Sequence, residues 1–138
     1  MARILAIDYG RKRCGVAVTD SLKISANGLP TLETPRLLAW VKEYVGREAV
    51  ERILVGEPKQ TNGQPSESMK YITPFVNRLR KELPEIPVEM VDERFTSVIA
   101  HREMLAGGFK KSDRQRKGFA DEMSAVIILT SWLDSHSF

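Results

Sequence analysis

Short runs of apolar residues, each ending at polar positions, occupy the first quarter of the chain. Residues 3–8 and 14–19 are two such runs with a polar turn between them, so they predict a β-hairpin. A third, weaker strand is expected to end near Leu32, beside the turn-prone pair Asn27-Gly28. The chain is therefore expected to begin with three strands.

The apolar spacing changes to a helical period from Thr34 onward. Thr34 and Pro35 have the character of an N-cap and a first-turn proline, and the helix is expected to run to about Gly46. Its apolar face is predicted to consist of Leu37, Leu38, Val41, Tyr44 and Val45.

Two further strands are predicted, at residues 52–56 and 88–92. The polar stretch 59–65 between them is expected to form an exposed loop, followed by a long helix that Ser66 can cap. Pro74 should kink that helix or split it in two, because proline removes a backbone donor.

Two helices are expected after the last strand. The first would run from Thr96 to about Ala106, with Gly107-Gly108 as its stop, and the second would span about 119–133. The resulting order of elements is typical of the α/β class. It predicts a mixed five-stranded sheet with an antiparallel hairpin arm, a parallel part and helices on both faces. All 138 residues are expected to form one domain.

Composition narrows the function only slightly. The chain has 42% hydrophobic and 28% charged residues, as globular proteins do. A net charge of +3, with the basic residues clustered, favours a polyanionic partner. The single cysteine, Cys14, permits no intramolecular disulfide, and no apolar run is long enough to span a membrane. A reducing cytoplasm is the expected location.

Acidic residues stand at the ends of two predicted strands. Asp8 closes the first strand before Gly10, so its carboxylate is expected at the sheet rim; a turn aspartate bonded to loop amides is the alternative. Asp92 and Glu93 follow the last strand, and because strand side chains alternate, only one can readily share a site with Asp8. Glu93 is preferred and Asp92 is the reserve, because the residue just past a strand reaches more freely across the rim.

A third acid, Asp121, lies near the start of the last helix, with Ala125 and Ile128 following on its apolar face. A carboxylate on a packed face is costly unless something compensates it. The alternative, a favourable interaction with the helix N-terminus, fits Glu122 better. Carboxylates from three separate elements suit Mg²⁺ or Mn²⁺, and two such ions would activate water and stabilise the leaving oxygen of a phosphodiester.

Basic residues flank these acids in two places. One group follows Asp8 and the other precedes Asp121. The residues are Arg11, Lys12 and Arg13, and then Lys110, Lys111, Arg114, Arg116 and Lys117. Beside a carboxylate site they would hold a phosphate backbone, and ion pairing or simple solvation is the alternative.

Four motifs, in order and almost end to end, resemble the YqgF family, also called RuvX. They are Asp8-Tyr9-Gly10 with Gly15-Val16-Ala17-Val18, then Val55-Gly56-x-Pro58, then Asp92-Glu93-Arg94-Phe95-Thr96-Ser97, and last Lys117 with Asp121, Ser124-Ala125 and Ile128-Leu129. The resemblance implies an RNase H-like fold related to the resolvase RuvC. It also implies that Asp8, Glu93 and Asp121 are the metal-binding acids, and Arg94 joins the residues expected to bind substrate.

The function implied by the resemblance is a nuclease, dependent on two Mg²⁺ or Mn²⁺ ions, that matures the 5′ end of pre-16S ribosomal RNA, in association with pre-ribosomal particles. Cleavage of branched DNA, as by a Holliday-junction resolvase, is the alternative; the protein is expected to be a monomer or a homodimer, and two opposed cuts would require the dimer. A non-catalytic ribosome-assembly or nucleic-acid-binding factor is another. An actin-like or sugar-kinase-like ATPase is disfavoured, because those enzymes close two such domains around a nucleotide.

The chain departs from the family pattern at Glu57, where leucine is usual, and at Ser124, where alanine is common. Glu57 is expected to form an exposed ion pair with Lys59. A supplementary metal ligand at the rim of the central strand is the alternative.

Overall fold

The computed structural model describes residues 2–22, 25–58, 67–92 and 119–136 of the chain. Within these ranges the chain forms five strands and three helices. The strands are β1 (Arg3–Asp8), β2 (Arg13–Thr19), β3 (Ala26–Glu33), β4 (Val50–Glu57) and β5 (Val88–Asp92). The helices are α1 (Thr34–Arg47), α2 (Met69–Glu82) and α3 (Phe119–Ser135). In this part of the chain no helix is long and apolar enough to cross a membrane.

The strands form one mixed sheet in the order β3-β2-β1-β4-β5. β1 pairs antiparallel with β2, which pairs antiparallel with β3. On its other side β1 pairs in parallel with β4, which pairs in parallel with β5. The predicted mixed five-stranded sheet with a hairpin arm is therefore confirmed.

Helices cover both faces of the sheet because each central strand is apolar on both sides. In β1, Leu5 and Ile7 belong to the core beneath α1 and α2, whereas Ile4 and Ala6 belong to the core beneath α3. All four side chains are essentially inaccessible to water. Burying a large aliphatic side chain stabilises the fold by roughly 1.5–3 kcal/mol, so the run 4–7 anchors both layers.

The predicted helical faces are confirmed in part at the level of single residues. Leu37, Val41 and Tyr44 of α1 are buried, and Leu38 and Val45 are partly buried beside them. In α2 the buried residues are Ile72, Val76 and Leu79. α3 is buried through Ala125–Leu129 and Trp132.

The turn expected beside Asn27-Gly28 lies elsewhere. Both residues are inside β3, where Asn27 pairs with Val18 and Gly28 with Ala17. The chain reverses earlier, where the Asp20 carboxylate accepts the N–H of Ser25 at 3.1 Å. The physical reason is that Thr19 pairs with Ala26 and so sets a register that draws the turn-prone pair into the ladder.

Pro74 does not split α2, which is continuous from Met69 to Glu82. Proline deprives the carbonyl of Lys70 of its helical donor, but Lys70 and Pro74 are both exposed, so water can reach that carbonyl. The helix also starts later than a Ser66 cap would place it, since Ser68 occupies the N-cap position.

Three predicted features lie outside the described residues. They are the loop at 59–65, the helix from Thr96 to Ala106 and its stop at Gly107-Gly108.

Candidate active site

The carboxyl ends of β1, β4 and β5 lie at one edge of the sheet because these strands are parallel; we call it the carboxyl edge. Asp8, Glu57 and Asp92 are the last residues of the three strands. Glu57 and Asp92 are in direct register, and Ile7 pairs with Val55 one row before Asp8. The predicted position of Asp8 at the sheet rim is thus confirmed.

The three acids do not start from the same face of the sheet. By strand alternation Asp8 shares the face of Ala6, which α3 covers. Glu57 shares the face of Val55, and Asp92 shares the face of Val88, and this opposite face is covered by α1 and α2. Asp8 is therefore separated by the plane of the sheet from the other two strand-end acids.

Of the two predicted partners of Asp8, the structure describes only the backbone position of Asp121. Asp121 is the third residue of α3, the helix on the Asp8 face, but its side chain lies outside the described part. Glu93 lies outside the described residues altogether, as do Lys59, Arg94 and the basic segment 110–117. Among the described residues no three acid, histidine or cysteine side chains are grouped to hold a metal ion. The three-acid centre remains a prediction.

The turn between β1 and β2 is held tightly beside Asp8. A Cβ atom on Gly10 would collide with the carbonyl oxygen of Arg13, so the turn requires glycine there. The Thr34 hydroxyl donates to the Gly10 carbonyl at 2.6 Å, and the Thr34 N–H donates to the Lys12 carbonyl at 3.0 Å. Thr34, expected to be the cap of α1, instead fixes this turn from the first residue of the helix, while Glu33 occupies the N-cap position.

The side chains of the turn form a basic cleft at the carboxyl edge. Arg11 and Lys12 are exposed and Arg13 is half-buried. Together with Gly10 they line an open cleft of about 550 Å³. Cationic side chains around an open cleft can hold a phosphate group.

Aromatic residues support the turn from the α2 side. The Arg11 guanidinium lies over the ring of Tyr71, 4.8 Å from its centroid. The Tyr9 ring packs against Phe75 at 4.9 Å between centroids. Burial, and to a lesser extent the Cys14 thiol, raises the pKa of Tyr9, so its phenol is neutral at physiological pH.

Neither Tyr71 nor Lys70 was predicted from the sequence to belong to the site. In the structure Lys70 also approaches the Tyr71 ring, at 5.4 Å from its centroid. Sixty residues separate Arg11 from Tyr71, and no local pattern links them. The available signal was indirect: α2 follows a strand that ends at the carboxyl edge, so its first turn has to begin near that edge.

The sheet order, the helices on both faces and the acid closing β1 define an α/β protein of the RNase H-like class. A structure of RuvC from T. thermophilus in complex with a Holliday junction substrate is similar, with a TM-score of 0.65 at 17% identity, covering 99% of this chain and 98% of that one. Another Thermus thermophilus RuvC structure matches with a TM-score of 0.55 at 16% identity, covering 98% and 97%. At such low identity these similarities establish the fold.

The chain belongs to the RuvX family, described as Holliday junction resolvase, whose model matches residues 2–135. It is 63% identical over 138 residues to a protein of Phocaeicola vulgatus, covering 100% of this chain and 99% of that one. It is 59% identical over 138 residues to a protein of Bacteroides thetaiotaomicron, covering 100% of both. Both relatives carry the name "Putative pre-16S rRNA nuclease".

Proposed function

We propose that this chain is a metal-dependent nuclease that hydrolyses phosphodiester bonds during 5′-end maturation of pre-16S ribosomal RNA. Membership of the RuvX family and the names of its relatives support the reaction and the substrate. The observation that carries the proposal is the position of Asp8 at the carboxyl edge, where it immediately precedes a turn whose basic residues line an open cleft.

Asp8, Glu93 and Asp121 are proposed to hold two Mg²⁺ or Mn²⁺ ions. Three observations support this set. The first two are that Asp8 lies on the α3 face and that Asp121 belongs to α3. A third is that Asp92 starts from the opposite face, which favours its neighbour Glu93 as the partner. Glu57 shares the face of Asp92, which disfavours it as a supplementary ligand.

The donor set fits such ions, because carboxylate oxygens are the ligands that hard divalent cations prefer. When bound, the ions would activate water for attack on phosphorus and stabilise the leaving oxygen. The protein's own contribution is to place the scissile phosphate next to Asp8. The rigid turn at Gly10 and the basic side chains beside it are suited to that orienting role.

The nucleic-acid surface is proposed to extend from the turn to the basic residues that precede α3. It would act as part of a single domain in the cytoplasm, in contact with pre-ribosomal particles. Its members are Arg11, Lys12, Arg13, Arg94, Lys110, Lys111, Arg114, Arg116 and Lys117.

Cleavage assays with the purified chain test this function. Pre-16S RNA, linear RNA and a four-way DNA junction are each incubated with Mg²⁺, Mn²⁺ or EDTA. We expect metal-dependent cleavage of pre-16S RNA and its loss in Asp8→Asn, without a change in unfolding temperature. Mutation of a residue that only supports a metal ligand typically lowers metal affinity or activity by about 10- to 100-fold. Loss of a direct ligand should therefore lower the cleavage rate by at least about 100-fold.

Asp134→Asn is the matched control, because it makes the same chemical change at an exposed position near the end of α3. It should cleave like the wild type. Wild-type activity in Asp8→Asn, or undiminished cleavage in EDTA, would exclude the proposed mechanism.

Resolution of branched DNA is the second candidate, favoured by the description of the family and by the similarity to RuvC. It requires two active sites facing opposed strands and therefore a dimer. Preferential junction cleavage by a dimeric species in analytical ultracentrifugation would support it. Retained function in rRNA maturation after simultaneous Asp8→Asn, Glu93→Gln and Asp121→Asn substitution would instead support a non-catalytic assembly factor.

A further inference from the structure

We propose that Tyr71 is a positioning residue that holds Arg11 in place for phosphate binding, and that the first turn of α2, through Tyr71 and Lys70, belongs to the nucleic-acid interface. This inference rests on the proposed function, because it assigns residues to the substrate surface of the same site. It adds an element, α2, that contributes none of the residues named above for that surface.

The contact between Arg11 and Tyr71 joins two parts of the carboxyl edge. Arg11 extends from the β1–β2 turn, and its guanidinium lies 4.8 Å from the centroid of the Tyr71 ring. Tyr71 is half-buried and next to Ile72, which is buried against the sheet, so the ring has a fixed base. An arginine stacked on such a ring loses freedom before any ligand arrives.

The exposed cations of the β1–β2 turn and of the first turn of α2 remain available to an anion. Arg11, Lys12 and Lys70 are exposed, and none of them forms an ion pair within the described parts of the chain. Lys70 lies 5.4 Å from the same ring centroid, so two positive charges flank one aromatic side chain. Two positive charges near one exposed surface raise the local electrostatic potential, which favours a bound phosphate.

A second arginine–tyrosine contact in the molecule serves as a comparison, because it has a purely structural explanation. Arg47 lies 5.5 Å from the ring of Tyr44, which is buried and stacked on Trp40. Arg47 is also within 4.0 Å of the Glu43 carboxylate. The Arg11–Tyr71 pair differs because its arginine makes no ion pair with any described acid and lines an open cleft.

A stacked guanidinium binds phosphate more tightly because its ordering cost is met in the free protein. Immobilising one long side chain at an interface is worth about 2- to 10-fold in affinity. Loss of the Tyr71 ring should therefore weaken binding by about that factor, while the phosphate contact itself depends on Arg11.

A double-mutant cycle tests the inference. The affinity of the full chain for a fluorescein-labelled single-stranded RNA is measured by fluorescence anisotropy in EDTA, over a series of salt concentrations. The variants are Arg11→Gln, Tyr71→Leu, the double variant and Tyr71→Phe. We expect Tyr71→Leu to bind about 2- to 10-fold more weakly, Tyr71→Phe to bind like the wild type, and Tyr71→Leu to have no further effect in the Arg11→Gln background.

Salt dependence adds a readout that a structural defect would not move. Arg11→Gln and Lys70→Gln should each lower the slope of log affinity against log salt by about 0.7, the value for one phosphate contact on a single strand. Lys81→Gln removes one charge from the exposed surface near the other end of α2 and should change nothing. If Tyr71→Leu does not fold, Arg11→Lys tests the same contact, because it keeps the charge and loses the planar stack.

Two results would overturn the inference. Wild-type affinity in Tyr71→Leu would mean that the ring contact has no role. An equal loss from Tyr71→Leu with and without Arg11 would mean that Tyr71 does not act through Arg11. Because these measurements use no metal, the cycle can be interpreted whether or not the chain is a nuclease. The nuclease itself is refuted separately, if the chain binds RNA but does not cleave pre-16S RNA in the assay with Mg²⁺ or Mn²⁺.

Discussion

The two edges of the central sheet use the same kinds of charged residue differently. At the amino edge, where the parallel strands begin, basic side chains are matched with acids. Arg3 lies 3.6 Å from Glu48, Arg52 2.9 Å from Glu89, and both Lys42 and Arg78 2.9 Å from Glu82. At the carboxyl edge, Arg11, Lys12 and Lys70 have no such partner among the described residues.

This difference indicates which charges are informative about function. Exposed ion pairs contribute little to stability, but each one gives both of its side chains a partner within the fold. The paired cations of the amino edge thus have a sufficient structural explanation. Arg11, Lys12 and Lys70 at the carboxyl edge have no such partner in the described part of the chain, and Arg11 and Lys12 line an open cleft in the turn that follows Asp8. Arg36 and Glu33 are an exception near this edge, but their contact is 3.9 Å long and highly exposed.

The largest expected effect is a loss of stability at the amino edge that leaves RNA binding at the carboxyl edge unchanged. Thr19 is fully buried, and its hydroxyl accepts the N–H of Ile4 at 2.9 Å. Thr19→Val keeps the shape of the side chain but leaves that N–H without its acceptor, at a cost of about 1–3 kcal/mol. Urea unfolding should detect this loss, while RNA affinity stays unchanged.

Thr19→Ser provides the control for that substitution because it retains the hydroxyl. It should recover most of the lost stability. A fall in RNA affinity with Thr19→Val, in protein that is still folded, would contradict the separation of the two edges.

The next effect concerns binding at the carboxyl edge. Replacing Arg11 and Lys12 together by glutamine removes two phosphate contacts, which should weaken binding to single-stranded RNA about 25-fold at roughly 0.1 M salt and much less at roughly 1 M. Thermal unfolding should be unaffected. Anisotropy titrations at several salt concentrations provide the measurement.

Lys42→Gln combined with Arg78→Gln is the matched pair at the opposite end, since it also removes two cations. It should lower stability slightly and leave the salt dependence of binding intact, because both residues are engaged with Glu82. Equal losses of affinity in the two double variants would show that net charge, and not its position, governs binding.

The sequence pattern predicted the fold well because the decisive signals are local. The continuous apolar run at 4–7 required cover on both faces, and the ends of the parallel strands had to share an edge with Asp8. The sequence pattern did not predict features that depend on residues distant in the chain. The register set by Thr19 and Ala26 drew Asn27-Gly28 into a strand, and the exposure of Pro74 let α2 continue.

For the candidate site, the sequence predicted which residues lie at the ends of single strands, but not the contacts between different elements. Alternation indicated that the two acids at positions 92 and 93 point to opposite faces, and the structure adds that Asp92 starts from the face opposite to Asp8. The contact of Arg11 with Tyr71 could not be foreseen, because it depends on where α2 begins after its crossover from β4. Side-chain contacts between elements require the three-dimensional arrangement that a one-dimensional pattern lacks.

The smallest expected effect is a pH dependence of the stability that the ion pairs of the amino edge contribute. Hydrogen bonds from Lys42 and then Arg78 lower the pKa of Glu82 below its ordinary value of 4.5. A folded-state pKa below the unfolded value means that this carboxylate stabilises the protein above about pH 4.5, and that the contribution is lost as the pH falls through the folded pKa. Glu82→Gln should therefore be slightly less stable than the wild type at neutral pH, and the difference should shrink on acidification. Urea midpoints for both proteins at several pH values measure it. A difference that grows toward low pH would mean that the Glu82 pairs do not stabilise the folded state, and the amino edge would then lose its structural explanation.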